Sequence, residues 1–85
     1  MEYNVAVQMK IYIDEPANIP KVRESLRAVA KVSTINEQDV AFGIKVLKVV
    51  FLLNDKEGGM TELEEKVGKV PHVSQYEIDE VGRIG

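Results

Sequence analysis

The side chains best able to do chemistry in this sequence are isolated from one another. His72 is the only histidine and there is no cysteine, so a transition-metal site would lack a second imidazole or a thiolate ligand. Ser25, Ser33 and Ser74 lie in no nucleophile-elbow motif and have no paired base. The sequence therefore predicts neither a metal site nor nucleophilic catalysis, and we expect His72 to be a loop residue beside Pro71.

The acidic residues are explained without catalysis. Glu62, Glu64 and Glu65 cluster where a helix is expected to begin, and acids in that position stabilise the N-terminal end of the helix dipole. Residues 55–59 combine acids with glycines, but they lack the spacing of a calcium loop and of a phosphate-binding loop. We therefore predict a connecting loop there. We also predict that the chain has no catalytic, cofactor-binding or metal-binding residue and needs no cofactor.

Direct binding to nucleic acid is not supported by the charge. The formal net charge is −3, which gives no electrostatic footprint for phosphates. RNA-binding proteins often present aromatic residues from central strands, and the candidates here are Tyr12, Phe51 and Tyr76. The basic and glycine-rich signature that accompanies such aromatics is missing. We expect no direct nucleic-acid partner.

Two features point instead to a protein partner. Phe42, followed by Gly43, ends a turn-like connection, where a large apolar side chain is unusual and where, if exposed, it could anchor an interface. The alternative is that Phe42 folds back as a lid on the core. At the C-terminus, residues 82–85 leave the Arg83 guanidinium on a flexible tip beyond the last strand, and an ordinary frayed end is the alternative there.

The hydrophobic pattern predicts four strands and two helices around these residues. Strict alternation indicates a half-buried first strand, and apolar steps of three and four residues indicate a helix that covers the sheet. Asn18 is expected to cap the first helix, with Pro20 in its first turn, and Thr61 with Glu64 form a capping-box pattern for the second. The predicted order is a strand at 5–13, a helix from 19, an edge strand at 32–37, a turn at 38–43, a central strand at 44–53, a loop at 54–59, a helix ending before Pro71, and a strand at 73–81.

The length and composition place these elements in one domain. The 85 residues, with 45% hydrophobic and 29% charged residues, suit a single globular unit over residues 1–85. The strand–helix–strand–strand–helix–strand order predicts an α+β, ferredoxin-like βαββαβ sandwich, with a four-stranded, mostly antiparallel sheet and two helices on one face. With no cysteine, no signal-peptide pattern and no apolar run near about 20 residues, we expect a soluble, cytoplasmic protein without membrane contact.

Several segments, taken in order, resemble a known family. The archaeal translation elongation factor 1-beta family of guanine-nucleotide exchange domains is similar in Phe42-Gly43-Ile44-Lys45-x-Leu47, Asn54-Asp55-Lys56, Leu63-Glu64-Glu65 and the closing Arg83-Ile84. The resemblance implies an exchange factor, not an enzyme, that promotes GDP/GTP exchange on elongation factor 1-alpha during polypeptide elongation.

The same resemblance implies roles for particular residues. In the family an aromatic residue inserts against helices of the GTPase, and a basic residue near the chain end reaches toward its magnesium site. Those positions correspond to Phe42 and Arg83 in this sequence. The partner-contact residues that the resemblance implies are Phe42, Gly43, Lys45, Arg83 and Ile84.

Other functions are possible on the same fold, because the fold alone does not define an activity. A regulatory domain could hold a small molecule on its exposed sheet face or at a dimer seam, and a ligand would then raise its thermal stability. A hydrolase of acylphosphatase type would need an arginine in a phosphate-binding loop after the first strand. Asp14 and Glu15 occupy that place and would repel the substrate. The sequence therefore favours the exchange factor, with the small-molecule-binding regulatory domain as the alternative.

Overall fold

The strands and helices follow the predicted order. The computed structural model describes residues 3–54 and 59–84, except for the side chain of Ala41. The predicted loop at 54–59 lies mostly outside the described residues. The elements are β1 (Val5–Ile13), α1 (Ile19–Val29), β2 (Lys31–Asp39), β3 (Lys45–Leu53), α2 (Gly59–Gly68) and β4 (Val73–Arg83), with short 3₁₀ turns at Pro16–Asn18 and Ala41–Gly43.

The four strands form one antiparallel sheet in the order β2-β3-β1-β4. This order confirms the ferredoxin-like α+β fold, with β3 in a central position and β2 at an edge as predicted. The polar composition of β2 suits that edge, because the strand pairs on one side only and polar or charged side chains at an edge oppose pairing with another chain. β4 forms the opposite edge and is paired along its length with β1.

The core lies between the helices and one face of the sheet. β1 alternates strictly between buried and partly exposed residues, as its sequence predicts. Each fully buried aliphatic or aromatic side chain contributes roughly 1.5–3 kcal/mol through removal of apolar surface from water. The completely buried members are Val7, Met9 and Ile11 of β1, Val22 and Leu26 of α1, Leu47, Val49 and Phe51 of β3, and Val67 of α2.

The helix starts differ from the prediction. Asn18 occupies the N-cap position of α1, but its side chain makes no capping hydrogen bond. Its amide donates instead to Asp14 Oδ1 at 3.0 Å and lies 3.1 Å from His72 Nδ1. α2 begins at Gly59, so Thr61 lies inside the helix and the capping-box prediction is wrong. Pro20 lies in the first turn of α1, as predicted.

Asp14, Asn18 and His72 join two loops at the end of the sheet where β1 finishes and β4 starts. The Asp14 amide donates to the His72 carbonyl at 2.9 Å, and His72 Nδ1 lies 3.1 Å from Asp14 Oδ2. The hydrogen bond from Asn18, followed by that from His72, lowers the pKa of Asp14 below its usual 3.8. His72 is therefore part of a loop-to-loop connection.

Candidate partner-binding surface

The connection between β2 and β3 exposes a group of apolar side chains. Phe42 is 99% exposed, and Val40 and Ile44 on either side are 43% and 50% exposed. The hypothesis that Phe42 closes over the core is therefore wrong, and the exposed alternative is confirmed. Sequence reasoning did not include Val40 or Ile44 among the contact residues, although Ile44 belongs to the motif that carries the family resemblance. The signal was present as apolar residues in 40–44, which span the end of the predicted turn at 38–43 and the first residue of the predicted strand at 44–53.

The backbone of this hairpin projects the Phe42 ring away from the protein. The Val40 amide donates to the Ile44 carbonyl at 2.7 Å and closes the loop. Phe42 (φ 63°, ψ 33°) and Gly43 (φ 75°) both adopt the left-handed conformation. Glycine adopts it without steric cost, whereas an aromatic residue there is a conformational outlier. Strain of this kind persists mostly at functional positions, which makes Phe42 the leading site candidate.

Lys45 lies at the base of the same hairpin and forms an ion pair within the chain. Its Nζ is 3.9 Å from Glu37 Oε2, and Arg23 Nη2 donates to Glu37 Oε1 at 3.1 Å. All three side chains are about 40% exposed. Glu37 therefore bridges α1, β2 and β3. Sequence reasoning missed this bridge, because residues 14 positions apart give no local pattern.

The C-terminal residues are part of the sheet. β4 extends to Arg83, which lies directly opposite Val5 of β1, and the Ile84 amide donates to the Asn4 carbonyl at 3.0 Å. The predictions of a flexible tip and of a frayed end are therefore both wrong for Arg83. Its side chain is exposed, and Ile84 is 44% exposed.

Phe42 and Arg83 lie at opposite ends of the sheet. Arg83 pairs with Val5 at the start of β1, whereas Tyr12 near the end of β1 pairs with Val46, next to the hairpin. The step from Val5 to Tyr12 spans about 23 Å at roughly 3.3 Å per residue. The longest dimension of the molecule is 39 Å. A partner that contacts both residues must therefore extend along the strands.

The described residues offer little to other chemistry. Four surface recesses among the described residues hold about 200–320 Å³, at or below the lower end of the usual ligand-site range of roughly 300–1,000 Å³. In residues 3–54 and 59–84, no group of three or more His, Cys, Asp or Glu side chains is placed to hold a metal ion. Over the same ranges, no helix has the length and apolar character required to cross a bilayer.

Fold and surface together define the class: a ferredoxin-like α+β domain with an exposed apolar hairpin at one end and an exposed arginine at the other. The profile of the EF-1 guanine nucleotide exchange domain matches residues 6–84. Elongation factor 1-beta of Aeropyrum pernix is 34% identical over 86 residues, covering 94% of this chain and 96% of that protein. Elongation factor 1-beta of Methanococcoides burtonii is 38% identical over 86 residues, covering 93% of this chain and 94% of that protein. The chain belongs to the EF-1 guanine nucleotide exchange domain family.

Family membership defines the function as guanine nucleotide exchange in translation elongation. This confirms the resemblance that was drawn from the ordered sequence segments. Nucleotide exchange replaces one bound nucleotide with another, so it is not catalysis of a chemical reaction in the usual sense. An exchange factor implies a GTPase partner. The contact roles of Phe42, Gly43, Lys45, Arg83 and Ile84 stay predictions.

Proposed function

We propose that this chain promotes GDP/GTP exchange on the GTPase elongation factor 1-alpha, and that Phe42 and Arg83 are its two principal contacts. The complete exposure of Phe42 is the observation that supports the proposal most strongly. A solvated aromatic ring in a strained backbone conformation costs stability and contributes nothing to the core. Such a residue is well suited to anchor an interface, because aromatic anchors dominate binding energy.

The physical basis of exchange is competition for the nucleotide site. A GTPase holds GDP largely through phosphate contacts and Mg²⁺. A guanidinium brought close to the metal position disfavours the metal by charge repulsion, and an aromatic side chain inserted between helices favours an altered arrangement of the site. Coupling between two ligands is reciprocal. Incoming GTP therefore weakens the binding of the exchange factor by the same factor and releases it.

The separation of the two contacts has a consequence for the partner. Phe42 and Arg83 lie at opposite ends of the sheet. They must therefore touch surfaces of the GTPase that are more than about 20 Å apart. Binding at either residue then fixes the orientation in which the other residue meets the GTPase. Neither residue should suffice alone.

The remaining contact residues have supporting roles in this proposal. Gly43 provides the left-handed backbone after Phe42, and Ile84 adds apolar surface beside Arg83. Lys45 is 43% exposed and is balanced by Glu37, so its contact with the GTPase would have to form alongside that ion pair. We propose that residues 1–85 form one exchange domain. We propose further that it works in the cytoplasm, where elongation takes place, and contacts neither nucleic acid nor membrane directly.

The decisive measurement is the release of labelled GDP from purified elongation factor 1-alpha. Wild-type protein should accelerate release, and Phe42→Ala and Arg83→Ala should each reduce the acceleration about tenfold or more, as expected for interface hot spots. Arg27→Ala is the matched control for Arg83, because Arg27 is an exposed arginine of α1. It should leave the rate unchanged. Failure of the wild-type chain to accelerate release would overturn the proposal.

A further inference from the structure

The side chain of Glu37 links both arms of the β2–β3 hairpin region to α1. It accepts a hydrogen bond from Arg23 of α1 and pairs with Lys45 of β3, while Glu37 itself belongs to β2. Glu37 precedes Phe42 by five residues and Lys45 follows it by three. The ion pairs therefore lie at the base of the hairpin, on both sides of its tip.

The position of the Phe42 ring depends on this base. With 99% of its surface exposed, the ring has almost no packing that could hold it. Its place in space is set by the hairpin backbone and by the way in which the two strands are fixed to the rest of the domain. Near the tip, the two strands are joined by the backbone hydrogen bond from the Val40 amide to the Ile44 carbonyl.

α1 provides a rigid attachment for the junction. Val22, next to Arg23, is completely buried in the core. Arg23 Nε is also buried and, among the described residues, has no hydrogen-bond partner. A buried polar atom without a partner costs free energy. The Arg23 guanidinium nevertheless stays in this position, which fits a group held by packing on one side and by Glu37 on the other.

We propose that Glu37 is a positioning residue for nucleotide exchange: its ion pairs with Arg23 and Lys45 hold the hairpin in the orientation that presents Phe42 to the GTPase. This inference rests on the proposed function, since it acts through Phe42. Exposed ion pairs are worth roughly 0.2–1 kcal/mol each. Loss of both pairs should therefore raise the ratio of open to closed hairpin by a factor of about 2 to 30.

The structural half of the inference is tested without any partner, by hydrogen exchange of the Val40 amide. In Glu37→Gln, this amide should exchange about 2 to 30 times faster than in the wild type. Glu24→Gln is the matched control, because Glu24 is exposed on α1 and forms no ion pair among the described residues. An unchanged Val40 amide in Glu37→Gln would overturn the inference, as would equal acceleration of the Val40 amide in Glu24→Gln.

The functional half is tested by a double-mutant cycle in GDP release. Glu37→Gln should lower the acceleration at subsaturating exchange factor by at most the same factor of about 30, because apparent affinity follows the fraction of closed hairpin, and the loss should diminish at saturation. In a Phe42→Ala background, assayed at higher concentration, the same substitution should have no further effect. An equal loss in both backgrounds would show that Glu37 does not act through Phe42. If the wild-type chain fails to accelerate release, the proposed function itself falls, whereas the Val40 amide result is independent of it.

Discussion

Replacement of Phe42 by asparagine separates the stability of the domain from its function. Phe42 has φ 63° and ψ 33°, a conformation that costs an ordinary L-residue roughly 1–2 kcal/mol. Asparagine tolerates this conformation, because its short polar side chain forms local hydrogen bonds. Since the ring is 99% exposed, its removal loses almost no burial. Phe42→Asn should therefore stabilise the fold while it removes the proposed contact.

The expected gain is about 0.5–1 kcal/mol, a part of the backbone strain. For a domain of this size, such a change raises the melting temperature by about 2–8 °C. Exchange should change in the opposite direction, with at least a roughly tenfold loss in the acceleration of GDP release. Phe42→Tyr is the matched control, because it keeps both the aromatic ring and the strained backbone. It should leave stability and exchange close to wild type.

Thermal unfolding and GDP release, measured on the same preparations, check both parts. A destabilisation of Phe42→Asn by more than about 1 kcal/mol would refute the view that the ring has no packing role. Full exchange activity of a stable Phe42→Asn variant would refute the anchor role of Phe42. The two failures are distinct, since the first concerns the folded chain alone and the second requires the GTPase.

Three further expectations concern the fold. Gly43→Ala should destabilise by about 1 kcal/mol in thermal unfolding, because a methyl group meets no atom within 4 Å and backbone strain alone opposes it. Leu26→Ala should lose about 2–5 kcal/mol in urea titrations, since Leu26 is completely buried; a loss under 1 kcal/mol would contradict this packing. Asp14 has a lowered pKa through Asn18 and His72, so its stabilisation is present above its usual 3.8 and is lost as pH falls below that value. The unfolding free energies of wild type and Asp14→Asn should differ by a constant amount above about pH 5 and converge as the pH falls below about 4, and a difference that stays constant down to about pH 2 would contradict the assignment.

Much of the fold could be predicted from the sequence because its apolar periodicity is clear. β1 alternates strictly between core and surface, and the apolar stripe of α1 faces the sheet. Even the polar edge strand β2 was recognisable from its composition. Local signals of this kind depend on residues two to four positions apart. They predicted the elements and their order, and hence the fold.

The parts that could not be predicted depend on contacts between distant residues. Asn18 was expected to cap α1, but His72, 54 positions away, and Asp14 compete for its side chain. Arg83 was expected beyond the last strand, because Gly82 interrupts the apolar pattern. Its pairing with Val5, at the other end of the sequence, leaves no signal in the neighbouring residues. The exposure of Phe42 was an open alternative for the same reason. Whether an apolar residue in a turn reaches the core depends on the backbone conformation, and phenylalanine rarely adopts the left-handed one.

The irregular pairing of β4 with β1 decides which face of the sheet Arg83 occupies. Gln8 pairs with Glu80 and Met9 with Ile78, so Asp79 is one residue too many and bulges from the ladder. Side chains alternate between faces, and one unpaired residue reverses the parity of all that follow. Without the bulge, Arg83 would share the open face with Ala6. With it, Arg83 shares the helix-covered face with Val5. The single unpaired residue Asp79 therefore determines which face of the sheet the Arg83 side chain occupies, four residues further along the strand.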